Sequence, residues 1–252
     1  MIDPAVLDRL LDATTMEELW DAHTRLMAGY GFDRLLYGST QFRTSHSLGC
    51  PEDFVVLTNH DPDYVGPFVN DGLYFHAPMV RWSLENDGAG SWSVLEARFA
   101  TDDFTPEERA VIAFNRKHGV TAGYSISFRS LRPRMKAAIA LTARAGMTQA
   151  EVDALWQRDG ADILAINKVA HRCIMSLPYD SPRHPLTDRQ REVLDWVGDG
   201  KTVQDIALLM GLTPATVEKH LRLARRALSV ETTAQAILKA AFQNQIFILD
   251  RG

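Results

Sequence analysis

The sequence predicts an α+β protein in two parts: an N-terminal α/β/α sandwich over residues 1–176 and a small all-helical domain over residues 186–252. Three observations lead there. Before Leu177, β-rich runs alternate with capped amphipathic helices, the pattern of one sheet flanked by helices. The stretch Leu177-Pro178-Tyr179-Asp180-Ser181-Pro182-Arg183-His184-Pro185 holds three prolines, which forbid helix continuation and bias each preceding residue toward extended geometry. Residues 177–185 therefore read as a semi-rigid linker. After it, the texture is helical only.

The elements follow in order. Thr15-Met16-Glu17-Glu18 is a capping box opening a helix with Leu19, Ala22, Leu26 and Met27 on its apolar face, stopped by Gly29 and Gly31. Asp33 to Phe42 and Asp53 to Thr58 are β-rich. Asp61-Pro62 starts a short helix that puts Tyr64 and Phe68 on one face at i, i+4. Thr105-Pro106-Glu107-Glu108 opens another helix with proline at its first position. Val120 to Arg129 and Met135 to Arg144 read as paired strands, and Thr148-Gln149-Ala150-Glu151 caps a long helix reaching Met175. The sum is a sheet of about five strands. Beyond the linker, helices are predicted over Asp188–Val197, Val203–Met210, Thr213 or Pro214–Leu228, and Thr232–Gln245.

With 252 residues, 46% hydrophobic and 23% charged, the chain buries a real core and is neither disordered nor of low complexity. Apolar runs such as Val111-Ile112-Ala113-Phe114 are too short to span a bilayer, so no membrane partner is expected. Met1-Ile2-Asp3-Pro4 has no basic segment leading into an apolar one, so a cytoplasmic location is expected. The two cysteines, Cys50 and Cys173, fit neither a disulfide framework nor a zinc cluster. The eight histidines form no HExxH and no pair at i, i+4. Ser125 and Ser127 lack a nucleophile elbow, and no Gly-rich phosphate loop occurs. Neither catalysis nor a metal or cofactor is expected. From His184 onward nine basic and eight acidic residues leave +1, so the preceding part carries −6 of the total −5. That balance argues against a broad nucleic-acid-coating surface and leaves room for a local basic stripe.

The tail supplies such a stripe. In Ile206-Ala207-Leu208-Leu209-Met210-Gly211-Leu212-Thr213-Pro214-Ala215-Thr216-Val217, Ala207 lets two helices cross closely and Gly211 supplies a left-handed turn residue. Thr213 caps the next helix, Pro214 takes its first position, and Val217 and Leu221 bury against the first. The exposed face then presents Thr216, Glu218, Lys219, Arg222, Arg225 and Arg226, which suits phosphate neutralisation and hydrogen bonding to base edges.

Leu186-Thr187-x-Arg189-x-x-Glu192-Val193-Leu194-x-Trp196, Gly200-Lys201-Thr202, Ile206-Ala207, Thr216-Val217-x-x-His220 and Gln235-Ala236 resemble the LuxR-type DNA-binding domain over about 65 residues. Gln190 departs from the glutamate of many members, at what reads as a scaffold contact. The resemblance implies that Glu218, Lys219 and Arg222 read bases, while Lys201, Thr202, Thr213, Thr216, His220 and Arg225 lie near phosphates. It also implies a homodimer on double-stranded DNA with a pseudo-palindromic operator, recognition helices one turn apart in major grooves. The long Thr148–Met175 helix and the last helix, with Ala234, Ile237, Leu238 and Ala241 on one face, are the dimer candidates.

Response regulators share such a tail, but their receiver domain needs an acidic pair after its first strand, where this chain has Tyr37-Gly38-Ser39-Thr40. His60 to Trp92 is instead similar to the autoinducer-binding domain of quorum-sensing LuxR proteins. That domain carries a Trp and a Tyr four apart, then Asp-Pro, then a second Trp. Here Tyr64 stands at the first Trp, Phe68 at the Tyr, Ala77-Pro78 at Asp-Pro, and Trp92 at the second Trp; Gly119-Val120-x-x-Gly123 matches a glycine-bearing approach to a strand.

The departures carry chemistry. By resemblance, the Trp and Tyr donate to the lactone and acyl carbonyls of an acyl-homoserine lactone, and the Asp accepts from its amide N–H. Tyr64 keeps a hydroxyl donor, Phe68 cannot donate and Ala77 cannot accept. Each loss costs about 1.5–3 kcal/mol in a buried site. The expected effector is therefore a small apolar or aromatic molecule other than a standard acyl-homoserine lactone. Tyr64, Phe68, Trp82, Trp92, Ala77, Met79, His60 and Thr142 are the expected ligand-binding residues, with Thr142 pointing inward if Ile139 and Leu141 face the other way. Asp71 and His76 are the nearest substitutes for the missing acceptor, and an aspartate restored alone at position 77 is expected to destabilise the fold. The alternative is a ligand-independent regulator or interaction protein whose front domain only dimerises or binds a partner.

Overall fold

The computed structural model describes residues 3–44, 47–179 and 185–247. Met1, Ile2, His46 and linker positions 180–184 lie outside the described residues. The chain divides into two compact units after Met175.

In the first unit, α1 (Pro4–Leu11) and α2 (Met16–Gly29) precede β1 (Phe32–Thr40) and β2 (Val55–Thr58). Next come α3 (Pro62–Val65), a single π-helical turn over Gly66–Asn70, α4 (Pro78–Glu85) and β3 (Gly88–Ser91). Then α5 (Glu96–Thr101), α6 (Pro106–Lys117), β4 (Gly123–Phe128), β5 (Lys136–Ala143) and α7 (Gln149–Ser176) complete it. The capping boxes at Thr15/Glu18 and Thr105/Glu108 form as expected. On α2 the buried positions are Leu19, His23 and Met27, so His23 rather than Ala22 lies on the inner face.

The five strands order as β2-β1-β5-β4-β3, each pair antiparallel. Four coincide with β-rich runs of the sequence. The fifth, Gly88-Ala89-Gly90-Ser91, carries no β signal and is held by pairing with β4. Because strand side chains alternate, the register sorts the sheet into two faces. Leu35, Tyr37, Ile139, Leu141, Tyr124, Ile126 and Phe128 lie on one, against α7. There Tyr37 Oη meets His171 Nδ1 at 2.9 Å, Phe128 stacks on His171 at 4.2 Å, and Tyr124 stacks on Trp156 at 3.9 Å. Asn167 of α7 reaches back to Met27 of α2, placing α2 in the same layer. The opposite face carries Leu36, Gly38, Ala138, Ala140, Thr142, Ser125 and Ser127. It meets α4 where Ser127 Oγ donates to the Ser83 carbonyl at 2.7 Å. The layers are helix, sheet, helix.

The second unit contains α8 (Asp188–Gly198), α9 (Val203–Met210), α10 (Pro214–Ala227) and α11 (Thr233–Phe242). Thr187, Thr202, Thr213 and Thr232 cap them. Gln190 accepts from Thr187 N through Oε1 at 3.1 Å and is buried, so glutamine completes that capping box without a carboxylate. Gly211, at φ +64°, makes the left-handed turn between α9 and α10. Val217, Leu221 and Ala224 of α10 pack into the core with Ile206 and Ala207 of α9.

α11 ends at Phe242, three residues before its predicted end at Gln245, because Asn244 turns left-handed at φ +49°. The turn brings the start of the predicted linker onto this unit. Tyr179 N donates to Gln243 O at 3.1 Å, Gln245 Nε2 to Tyr179 O at 2.9 Å, and Asn244 Nδ2 to Leu177 O at 3.1 Å. Leu177 to Tyr179 are thus tied down rather than spanning free.

Candidate functional site

The sheet face opposite α7 is the floor of a cavity of about 320 Å³. That is the low end of the range for small-molecule sites. Short side chains on the central strands, Gly38, Ala138 and Ala140, leave the space open, and α3, the π-helical turn, α4 and α6 roof it.

The aromatic wall grows from the short helix. Asp61 caps α3 and Pro62 starts it, so Tyr64 and Phe68 project on one side. Tyr64 stacks on Phe68 (5.0 Å between centroids), on His60 (4.5 Å) and on Phe114 (5.3 Å). Burial holds the His60 imidazolium down to about 4, with the Arg34 charge adding to the effect, so the ring is neutral near pH 7. Burial also pushes the Tyr64 phenol up. Its hydroxyl donates to Asn115 Oδ1 at 3.0 Å. The one donor the sequence left at this position is therefore already engaged.

Of the expected ligand-binding residues, His60, Tyr64, Phe68, Ala77, Met79, Trp92 and Thr142 line this cavity. Trp82 is not among the lining residues: its ring lies over Gly90 of β3, where a Cβ would come within 2.4 Å of it. Glycine in the edge strand gives the indole a seat on the sheet, which takes it out of the site. Asp71 and His76 are exposed and neither lines the cavity, so neither replaces the missing carboxylate. Among the described residues, no aspartate or glutamate lines it. Its lysine, Lys136, pairs with Asp87 at 3.1 Å, and Arg116 lies over the Phe99 ring at 5.4 Å. These two cations are the charged side chains of its lining, and aromatic and aliphatic groups make up most of the rest.

Sequence reasoning found Trp92 and Thr142 here and missed two further hydroxyls, those of Ser125 and Tyr74. Trp92 Nε1 donates to Ser125 Oγ at 3.0 Å. Thr142 faces inward, opposite Gly123 across the β4–β5 register, and its Oγ1 is buried with no partner among the described residues. The hydroxyl of Tyr74, another lining residue, is likewise buried and unpartnered. Gly123 explains the fit of Trp92: a Cβ there would lie 3.0 Å from the indole and 2.2 Å from the Leu141 carbonyl. Ser125 and Asn115 carry no local sequence signal, because only sheet register and helix packing bring them to the aromatic wall.

On the second unit, Val217, Leu221 and Ala224 take the inner face of α10, and Glu218, Lys219, Arg222 and Arg226 project outward into solvent. Lys201, Thr202 and Thr213 are exposed at the N-termini of α9 and α10, where unpaired backbone N–H groups favour an anion. Thr216 is half-buried, with its hydroxyl 2.9 Å from that of Thr213. His220 is half-buried, and its Nδ1 is buried without a partner among the described residues. Arg225 is partly drawn inward, donating from Nη1 to Thr233 Oγ1 of α11 at 2.8 Å.

An aromatic cavity without a carboxylate on one sheet face and, in a separate unit, a basic helix behind a glycine turn define a protein with a pocket-bearing domain and a helix-turn-helix. Residues 15–174 match the family described as "Autoinducer binding domain", and residues 184–240 that described as "Bacterial regulatory proteins, luxR family". The HTH-type quorum sensing-dependent transcriptional regulator RpaR of Rhodopseudomonas palustris is 36% identical over 218 residues, 85% of this chain and 83% of that one. The chain belongs to the LuxR family, with an autoinducer-binding domain. The match to the transcriptional activator AhyR of Aeromonas hydrophila is 42% identical over 65 residues, and so spans only 25% of that relative. The structure described as "SdiA in complex with octanoyl-rac-glycerol" shares the fold, with a TM-score of 0.54 at 17% identity over 96% of this chain and 97% of that one. So does LuxR-family CepR2 of Burkholderia cenocepacia, with a TM-score of 0.53 at 18% identity over 69% of this chain and 97% of that one.

Proposed function

We propose that this chain is a cytoplasmic, homodimeric, DNA-binding transcription regulator governed by a small uncharged ligand other than a simple acyl-homoserine lactone. The observation that carries the reading is the cavity itself: it is apolar, it offers a buried hydroxyl at Thr142, and Ala77 stands where the family places an amide-accepting aspartate. His60, Tyr64, Phe68, Met79, Ala77, Trp92 and Thr142 are the residues we assign to ligand contact. An amide N–H would meet no carboxylate there, which disfavours acyl-homoserine lactones relative to a neutral ligand with an apolar or aromatic body.

For DNA, Glu218, Lys219 and Arg222 are assigned to base edges, and Lys201, Thr202, Thr213, Thr216, His220, Arg225 and Arg226 to the phosphate side. The working boundaries are 1–176 for the sensor, 177–185 for the linker and 186–252 for the DNA-binding domain. The outward stripe of α10 supports this assignment, as does the similarity to RpaR, a transcriptional regulator.

The test is mass spectrometry of the full chain purified from its producing cells. A co-purified neutral molecule that raises the melting temperature of the stripped protein on re-addition, and changes its affinity for operator DNA, is the expected result. A chain that carries nothing, and is stabilised by no extract of those cells, would favour a front domain that only dimerises or binds a partner.

A further inference from the structure

The cavity has an unmet hydrogen-bonding group at each of two distant ends. Thr142 Oγ1, near the Trp92–Ser125 pair, sits over β5 and β4, at the level where Thr142 faces Gly123 and Ser125 faces Ala140. Tyr74 sits toward the other edge of the sheet. Its ring meets Phe54 edge-on at 6.4 Å, and Phe54 directly precedes β2, whose Val55 pairs with Ser39 near the far end of β1. Strand spacing and rise along the register put roughly 20 Å of sheet between Thr142 and the start of β2. The floor between them is apolar, with Leu36, Gly38, Ala138 and Ala140. A buried hydroxyl without a partner is costly, and none of the described residues supplies one for Tyr74.

We propose that the ligand is an elongated, uncharged molecule with a hydrogen-bonding group at both ends of its apolar body, and that Tyr74 reads the far one. The near group meets Thr142, and the far group, a hydroxyl, carbonyl or phenol, meets the Tyr74 Oη. This rests on the ligand-binding reading of the cavity above and goes beyond it by assigning the chemistry of the distal end. Tyr74 then selects against ligands whose chain ends in a methyl group, because such a ligand buries the hydroxyl and leaves it unpartnered.

Straight-chain primary alcohols and α,ω-diols of matched, increasing length separate the possibilities, with binding to the full chain measured by calorimetry or thermal shift. The expected diol-to-alcohol affinity ratio rises to a maximum at one length. Tyr74→Phe, which removes one buried oxygen, is expected to lower that maximum about tenfold, by weakening the diol and by strengthening the alcohol, whose methyl end no longer buries an unpartnered hydroxyl. Thr142→Val serves as the control at the other end and weakens alcohols and diols together. A ratio with no maximum, or a maximum that survives Tyr74→Phe, would overturn the assignment of the distal end while leaving the cavity reading intact. If neither alcohols nor diols bind at any length, the cavity reading itself fails, and this inference with it.

Discussion

The Tyr64 hydroxyl donates to Asn115 Oδ1 at 3.0 Å, joining the four-residue helix α3 to α6 over the aromatic end of the cavity. A helix that short has no independent stability, so its position depends on such contacts and on the stacking of Tyr64. Asn115→Leu leaves a phenol buried without an acceptor and is expected to cost about 1–3 kcal/mol of unfolding free energy. Urea titration measures it. A midpoint equal to that of the unaltered chain would mean that the hydroxyl finds another partner.

Three buried histidines of the sensor unit set its acid limit. Burial lowers His23, His60 and His171 from the usual 6.5 to about 4. Between those values the unfolded chain takes up protons that the folded chain refuses. Stability is therefore full above about pH 6.5 and falls as the pH drops toward 4, on the order of 2 kcal/mol per histidine. Denaturation midpoints at pH 7 and pH 5 should differ, and His60→Phe should narrow the gap. A flat profile would contradict the neutral state of these rings.

Ala77 occupies the N-cap of α4 and makes no side-chain capping bond. Taken from sequence, an aspartate at this position is a buried carboxylate without an amide to accept from. The structure adds the backbone N–H groups of Met79 and Val80, at the second and third positions of α4, and a capping carboxylate gains about 1 kcal/mol from such donors. Ala77→Asp is therefore expected to cost less than about 1 kcal/mol by calorimetric melting, far below the several expected of an unpartnered buried charge. A loss of several would mean that the carboxylate cannot reach those donors.

On α10, Arg222 is exposed one turn beyond Glu218, whereas Arg225 is tethered to Thr233. Arg222→Ala should abolish discrimination between operator and random duplex in gel-shift titration, a loss of about 1–3 kcal/mol at its base pair. Thr233→Val keeps the charge of Arg225 but releases its side chain, and should weaken all duplexes alike. Specific binding that survives Arg222→Ala would rule out α10 as the base-reading helix.

Legibility in the sequence followed how local the cause was. The helix-turn-helix was readable almost residue by residue, because caps at Thr187, Thr202, Thr213 and Thr232 and the left-handed Gly211 act within a few residues of themselves. β3 was not, since Gly88-Ala89-Gly90 owes its strand geometry to pairing with β4 and to the Trp82 ring above it. Within the cavity, Tyr64, Phe68, Ala77 and Trp92 were legible by family resemblance, and the inward turn of Thr142 by strand alternation. Their partners Asn115 and Ser125 were not, because contacts across 51 and 33 residues of chain leave no local pattern.

Calorimetric titration of the full chain with unsubstituted acyl-homoserine lactones over a range of chain lengths is the most direct test of a cavity lacking a carboxylate to accept the amide. No binding at or below micromolar concentration is the predicted result. Submicromolar binding of any one of them would contradict the account, and would mean that another group or an ordered water accepts the amide in place of the missing aspartate at Ala77.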